Sequence, residues 1–327
     1  MLKNEVLKIL LSNNIHVSGQ DISESLGVSR TAVWKAISTL KKEGYNIESV
    51  NNKGYLLLAK SDILNQVEIE QNINSYKLSN APQIIYLDEV DSTNNYAKLM
   101  AEKINSDFLV VADKQTLGKG RMGRSWSSPA GVGIFMSLCI KPEMAVEKAS
   151  MITLVTAVSL CDAIEELYPI NATIKWPNDI VINSKKISGI LTEMSSDMDG
   201  IKYIISGMGI NVNNKEFPDD IKDMASSLLL ETGILADRSK LIAAVIYHFY
   251  KNMNIFLKTG DMSGLKENYE NHLVNIGKYV KILDPKGIYQ GVALGIDETG
   301  ALLVNAEGKI KRIISGEVSV RGLYGYV

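Results

Sequence analysis

The chain is poor in the residues that build metal cages and disulfide frameworks: two cysteines, three histidines and seven prolines in 327 residues. Cys139 and Cys161 stand far apart in apolar surroundings, where a free thiol behaves as a small buried hydrophobe, so no disulfide scaffold is expected. His16, His248 and His272 are scattered and never reach the spacing of a zinc site. Each reads as surface or core filler, and no metal site is expected. Neither sign of charge prevails, with 35 Lys+Arg against 37 Asp+Glu, so no field of the whole molecule points to nucleic acid or membrane. Long hydrophobic runs are missing too: the longest, residues 151–161, is too short and too rich in hydroxyls to span a bilayer. Lys3 and Glu5 interrupt the apolar stretch that a signal peptide needs. A cytoplasmic protein with no membrane partner is expected. What is present is 46% hydrophobic and 22% charged residues, enough for a sizeable core and, at ~150 residues per domain, about two domains.

The charge is unevenly placed. Residues 1–60 hold eight bases and five acids, a balance of +3, which leaves 27 bases and 32 acids, −5, for the rest. A separate basic module in front is the natural inference. Leu2, Val6, Leu7, Ile9, Leu10 and Leu11 form one apolar helical stripe, and Ser18 is placed to cap a second helix that Gly27 ends. In a third, Ser29 is the N-cap candidate, Val33, Ala36, Ile37 and Leu40 recur at helical spacing, and Gly44 supplies the left-handed stop. Arg30, Thr31, Trp34, Lys35 and Ser38 are left on the other face, the layout in which a second helix enters the major groove of DNA. Strand-like runs at residues 45–50 and 55–58 flank Asn51-Asn-Lys-Gly54, a hairpin turn that makes a wing with Lys53 at its tip for a phosphate. Taken singly, each feature also fits a small helical domain with an ordinary solvated face.

In the middle of the chain, Leu117-Gly-Lys-Gly-Arg-Met-Gly-Arg124 formally matches G-x-G-x-x-G. The context of a dinucleotide loop is absent, because no helical periodicity follows and a second strand, residues 134–140, comes instead. What the loop has is charge: Lys119, Arg121 and Arg124 among Gly118, Gly120 and Gly123 let amides and cations close around more than one anion. A reaction that brings a carboxylate to a phosphate needs such a device; a mobile solvated loop is the plainer alternative. Three other segments belong beside it. Asp91-Ser-Thr-Asn-Asn95 opens a helix after a strand at residues 84–87, with Ser92 on its own reading as an N-cap. Thr173-Ile-Lys-Trp-Pro-Asn-Asp179 runs from strand to turn, and Gly207-Met-Gly-Ile-Asn211 ends a strand with small residues that let a ligand approach the backbone.

Ser92-Thr-Asn94, Gln115 with Gly118-Lys-Gly-Arg-Met-Gly-Arg124, Lys175-Trp-Pro-Asn-Asp179, Lys186 with Gly189-Ile-Leu, and Gly207-Met-Gly-Ile-Asn211 together resemble the family of bifunctional biotin–protein ligases and biotin operon repressors. Five motifs in order make the resemblance specific, and it covers nearly the whole chain. It implies an α+β protein: a winged helix-turn-helix over residues 1–62, a central mixed-sheet ligase domain like that of class II synthetases over 63–274, and an SH3-like barrel over 275–327. The implied chemistry has two steps. Biotin and ATP, with Mg2+, give biotinyl-5′-adenylate and pyrophosphate; a lysine of a biotin carboxyl carrier protein then takes the biotinyl group. By resemblance, Arg121, Lys186 and Asp179 are catalytic, the last by position alone. Ser92, Thr93, Asn94, Gln115, Gly118, Lys119, Gly120, Arg121, Trp126, Lys186, Gly189, Ile190 and Leu191 would hold biotin. Lys119, Arg121, Arg124, Trp126, Asn178, Lys186, Asn211 and Arg321 would hold the nucleotide, and Ser29 joins the DNA-facing residues already named. Repression would follow when adenylate promotes a homodimer that binds operator DNA.

One departure stands out: Lys119 occupies a position where the family pattern more often has arginine, keeping the charge without the bidentate fork. At the C-terminal end, runs at residues 279–283, 288–296, 301–304 and 309–314, separated by turns, spell a small antiparallel barrel. Without the resemblance, Glu317 and Arg321 would be a solvated pair. Two rivals remain: a lipoate-type acyl ligase on the same architecture, and a transcription factor that senses a ligand without catalysis.

Overall fold

The computed structural model describes residues 2–59, 62–284, 287–314 and 319–322. It divides into two compact units, Met1–Gln71 and Asn72–Val327.

The first unit begins with α1 (Leu2–Leu11), α2 (Gly19–Leu26) and α3 (Arg30–Lys42). Both expected caps form: Ser18 Oγ accepts from the Asp21 amide at 3.0 Å and Ser29 Oγ from the Ala32 amide at 3.2 Å, satisfying donors that a helix start leaves unpaired. Gly27, at φ 63°, closes α2. Val6, Leu7, Leu10, Ile22, Val33, Ile37 and Leu40 meet in one core. A hairpin follows, β1 (Asn46–Val50) antiparallel to β2 (Gly54–Ala59). Gly54 has φ 106°, and a Cβ there would meet the Val17 backbone; its absence lets Val17 and Tyr55 exchange amide hydrogen bonds, both 2.9 Å. α4 (Gln66–Ser75) comes next.

The second unit is built on a seven-stranded sheet. Its members in chain order are β3 (Gln83–Val90), β4 (Phe108–Gln115), β5 (Gly133–Ile140), β6 (Thr173–Lys175), β7 (Asp179–Ile182), β8 (Lys185–Asp197) and β9 (Gly200–Asn211). They lie side by side as β3-β4-β5-β9-β8-β7-β6, parallel only between β3 and β4. The glycine-rich segment therefore joins two antiparallel neighbours, β4 and β5, and not a strand to a crossover helix. That topology confirms the rejection of a dinucleotide loop. α5 (Thr93–Ala101) packs Ala97 and Ala101 against Phe108, Val110, Cys139 and Ile205. α6 (Ile152–Leu167) is buried nearly all round, which is how an apolar run too short for a bilayer is used. Both cysteines are buried and free.

α7 (Leu228–Thr232), the 22-residue α8 (Arg238–Thr259) and α9 (Lys266–His272) lead to a second sheet of β10 (Tyr279–Asp284), β11 (Gly287–Ile296), β12 (Leu302–Ala306), β13 (Lys309–Ile313) and β14 (Ser319–Gly322). All pairs are antiparallel, in the order β13-β12-β11-β10-β14. These strands are those expected of an SH3-like barrel; among the described residues the sheet is not closed. Arg321 contributes backbone to β14 opposite Lys281; its side chain, and Glu317, lie outside the described residues.

Candidate active site

The motif residues converge where α5, the end of β4, β8 and β9 meet the loop of residues 116–126. That loop is a small hairpin: the Trp126 amide donates to Gly118 O (2.8 Å) and the Gly120 amide to Arg124 O (2.7 Å), while Met122, at φ 56°, turns its tip. Its base is tied to the start of α5 through Leu117 N and Asp91 O at 2.8 Å.

Two cavities adjoin the loop and share Trp126 and Lys186. The first is lined by Ser92, Thr93, Asn94, Gln115, Lys119, Gly120, Arg121, Asn178, Gly189, Ile190 and Leu191, besides the shared pair. Nearly every residue expected to hold biotin is therefore brought together. Gly118 stands behind this wall, where a Cβ would meet the Trp126 carbonyl and, at 2.8 Å, Ser128 Oγ. The second cavity, of about 540 Å³, takes Arg124 and Asn211 from the expected nucleotide set and adds Phe217, Pro218, Ile221 and Met224. That apolar wall escaped the sequence reading, because residues 213–226 carry no periodicity to mark it.

The polar floor of the first cavity is an ordered chain. Ser92 sits at the N-cap position of α5, yet its hydroxyl caps nothing; the plain reading of this serine does not apply. The Thr93 amide and hydroxyl both donate to Gln115 Oε1, at 2.8 and 3.1 Å, and Gln115 Nε2 donates to Ser128 Oγ at 2.9 Å. Ser137 Oγ on β5 lies 2.8 Å from Thr93 Oγ1 and 2.6 Å from Asn94 Oδ1. Asn94 Nδ2 donates to Leu191 O (3.2 Å) and to Glu193 Oε2 (2.8 Å), and Glu193 Oε1 receives Lys98 Nζ at 2.5 Å. Ser137 and Glu193 were missed; a lone serine inside Ile134-Phe-Met-Ser-Leu-Cys-Ile140 is the signal that could have found the first.

Three of the cations are docked on protein acceptors. Arg121 Nη1 donates to Asn178 Oδ1 at 2.5 Å, Lys186 Nζ pairs with Asp179 Oδ1 at 2.6 Å, and Lys119 Nζ donates to Asn95 Oδ1 at 2.6 Å. Burial lowers the Arg121 pKa from its ordinary value, with Asp179 opposing and Arg124 adding to the effect; the guanidinium stays charged. Trp126 lies against two glycines: a Cβ on Gly209 would come within 2.5 Å of the indole nitrogen, and one on Gly189 within 3.0 Å of the ring. Lys186 Nζ stands 5.3 Å from the ring centroid, within cation–π range. The indole N–H is buried without a hydrogen-bond partner, a costly state that an acceptor on a ligand at the junction of the two cavities would relieve.

On the first unit, Arg30, Thr31, Trp34 and Lys35 are exposed on the outer side of α3, Ser38 is half-buried, and Lys53 is exposed at the hairpin turn. Trp34 retains 59% of its surface. Ser29 is spent on the cap, which leaves its hydroxyl engaged with the backbone.

Comparison with known proteins agrees with this geometry. Residues 86–211 match the model of the Biotin/lipoate A/B protein ligase family, residues 3–56 an HTH domain, and residues 276–321 the Biotin protein ligase C terminal domain. The bifunctional ligase/repressor BirA of Bacillus subtilis is 40% identical over 94% of this chain and 95% of its own. Its namesake in Escherichia coli is 31% identical over 95% of each. The biotin protein ligase from Aquifex aeolicus, solved in complex with biotin and ATP, superposes with a TM-score of 0.65 at 36% identity, covering 73% of this chain and 99% of that one. With the motif residues gathered at one site and relatives matched nearly end to end, the chain belongs to the biotin protein ligase family, in its bifunctional ligase/repressor branch.

Proposed function

We propose that this protein makes biotinyl-5′-adenylate from biotin and ATP, transfers the biotinyl group to a lysine of a biotin carboxyl carrier protein, and represses transcription through its winged helix. The observation that carries the ligase half is the hydrogen-bond inventory of the first cavity. Gln115 takes the Thr93 proton, and Leu191 O and Glu193 take the two Asn94 amide donors, so Thr93 Oγ1 and Asn94 Oδ1 offer a ligand lone pairs, while the Ser92 hydroxyl is left to donate. One donor and two acceptors complement a cyclic urea, a carbonyl flanked by two N–H groups. The dithiolane of lipoate has no N–H to give, which disfavours the lipoate alternative.

Gly189, Ile190, Leu191 and Trp126 form the apolar wall for the ring and tail, and the second cavity takes adenine between Trp126 and Phe217, with Asn211 reading its edge. The first cavity offers about 50 Å³, space for a few water molecules. Admitting biotin therefore requires Arg121 and Lys119 to leave Asn178 and Asn95 for the biotin carboxylate and the α-phosphate. The carboxylate oxygen then attacks the α-phosphorus and pyrophosphate departs past Arg124. Lys186 stabilises the charge that develops at phosphorus. Magnesium bound with ATP would offset the charge of the phosphates, beside Arg124. In the second step the amine of the carrier lysine attacks the biotinyl carbonyl carbon, AMP leaves with the bridging oxygen, and Asp179 accepts the ammonium proton. Arg321 is assigned to the nucleotide by its motif.

The winged helix is assigned to operator DNA, with α3 in the major groove and Lys53 on a phosphate. Adenylate orders the loop of residues 116–126 and promotes a homodimer, whose two winged helices match a two-fold operator. Functionally we divide the chain at residues 62/63 and 274/275. The decisive experiment is transfer of labelled biotin to a carrier domain with and without ATP, with lipoate as competitor. Label that transfers without ATP, or that lipoate displaces at equal concentration, overturns the ligase assignment. Adenylate formed without any shift of a biotin-gene operator fragment overturns the repressor assignment.

A further inference from the structure

Asn94 is 4% exposed and wedged: on one side a Cβ added to Gly207 would lie 2.8 Å from its amide carbon. An asparagine amide is nearly symmetric in shape, so a half-turn about its last bond exchanges an acceptor for a donor at almost no steric cost. Which end faces the cavity must be decided by neighbours. Leu191 O, a backbone carbonyl that only accepts, favours the observed end through a contact of 3.2 Å, longer than that of Glu193, while the Ser137 hydroxyl can turn to suit either end. Glu193 cannot. An ionised carboxylate only accepts, and its Oε2 sits 2.8 Å from Asn94 Nδ2. Lys98, one helical turn beyond Asn94 on α5, holds the other carboxylate oxygen at 2.5 Å. Burial pushes the Glu193 pKa up, but the hydrogen bonds from Lys98 and Asn94 and the charges of Lys98 and Lys119 outweigh it and leave the group below its ordinary value.

We infer that Glu193, held by Lys98, is a positioning residue that fixes the orientation of the Asn94 amide and thereby makes the cavity selective for a ligand that presents an N–H at that point. Glu193 touches no reacting atom; it acts through Asn94. The inference rests on the biotin reading above, and its test separates the two. A neutral glutamine at 193 presents either an oxygen or an N–H to Asn94, so only the longer contact to Leu191 O still opposes the turned amide and the acceptor facing the cavity is less firmly fixed.

The experiment is steady-state adenylation by the full chain, followed by pyrophosphate release, comparing the parent with Glu193→Gln and Glu193→Asp. For Glu193→Gln, the KM for biotin rises about tenfold, with kcat changed less than threefold and the KM for ATP unchanged. Desthiobiotin, which keeps the urea and lacks the sulfur ring, suffers the same factor, whereas general loosening of the cavity would penalise the two ligands unequally. Glu193→Asp keeps the anion and recovers at least half of the loss on a logarithmic scale. Should Glu193→Gln fail to fold by circular dichroism, Lys98→Met removes the clamp from outside, and a biotin KM at least threefold higher at unchanged ATP KM is the expected result. A biotin KM within twofold of the parent in the folded variant overturns the positioning role. A parent that releases no pyrophosphate with biotin overturns the ligase reading instead.

Discussion

Arg121 shows how one side chain serves two states. With its guanidinium on Asn178 Oδ1, the cation is kept in the wall of the cavity and within reach of an anion arriving there. Replacing it with glycine removes one charge-assisted contact to the adenylate, worth about 1.5–3 kcal/mol, so the adenylate off-rate rises by roughly tenfold to 150-fold; an unchanged rate in a rapid-dilution assay would reject this role. Gly209 is the converse case, a residue whose use is to be small. Gly209→Ala drives a methyl into the Trp126 ring, and kcat/KM for adenylation falls by at least about thirtyfold, since Trp126 borders both cavities and misplacing it by about 1 Å disturbs both ligands. Circular dichroism should show the fold intact. The two thiols behave differently again. Burial pushes the Cys139 thiol up to about 12, against a small opposing effect of Lys141, and Cys161 well above the ordinary range. Neither thiol should react with a disulfide reagent at pH 8 until denaturant is added. At this scale the sequence was informative wherever a motif was compact: the serine, threonine and asparagine at 92–94 all reached the cavity. It was silent on Glu193, because nothing in Gly189-Ile-Leu-Thr-Glu193 says which side chain will meet an amide arriving from a helix 99 residues earlier.

Elements were legible in proportion to how local their signals are. The three helices and hairpin of the first unit were readable because caps, a 3.6-residue apolar spacing and turn glycines all lie within a few residues of what they control. Ser29→Ala should destabilise the first unit by about 1 kcal/mol through loss of the α3 cap, measured by urea denaturation, and leave adenylation unchanged. Arg30→Ala and Lys53→Ala should weaken operator binding and each lower the salt slope by about one. If the slope stays at the parental value, these cations do not meet phosphates. By contrast α8, the longest helix of the described residues, is poorly marked in the sequence. It is buried on many sides, with Leu241, Ile242, Ala243, Ala244, Val245 and Ile246 all enclosed, and an apolar run of that kind lacks the contrast between faces on which periodicity depends. Sheet order was equally hidden, since β9 pairs with β5 across more than sixty residues of intervening chain and no local rule fixes so distant a partner.

For the whole molecule, near-zero net charge concealed a basic front and an acidic remainder, and that asymmetry is what a DNA reader joined to an enzyme requires. If adenylate controls both activities, sedimentation should show the chain gaining a second copy when biotin and ATP are added together and not with either alone. Addition of excess unbiotinylated carrier domain should consume the adenylate and release the operator in the same experiment; an operator complex indifferent to carrier would separate the two activities. The three tryptophans also fall in three different settings: Trp34 is exposed on α3, Trp176 is 2% exposed with its indole N–H donated to Gly300 O, and Trp126 is at the junction of the cavities with its N–H unpaired. Each indole therefore emits from its own surroundings. Single-tryptophan variants would make the chain its own fluorescent probe: Trp34 quenched on stacking with DNA, Trp126 shifted when a ligand acceptor takes its N–H, and Trp176 changed only when the core unfolds.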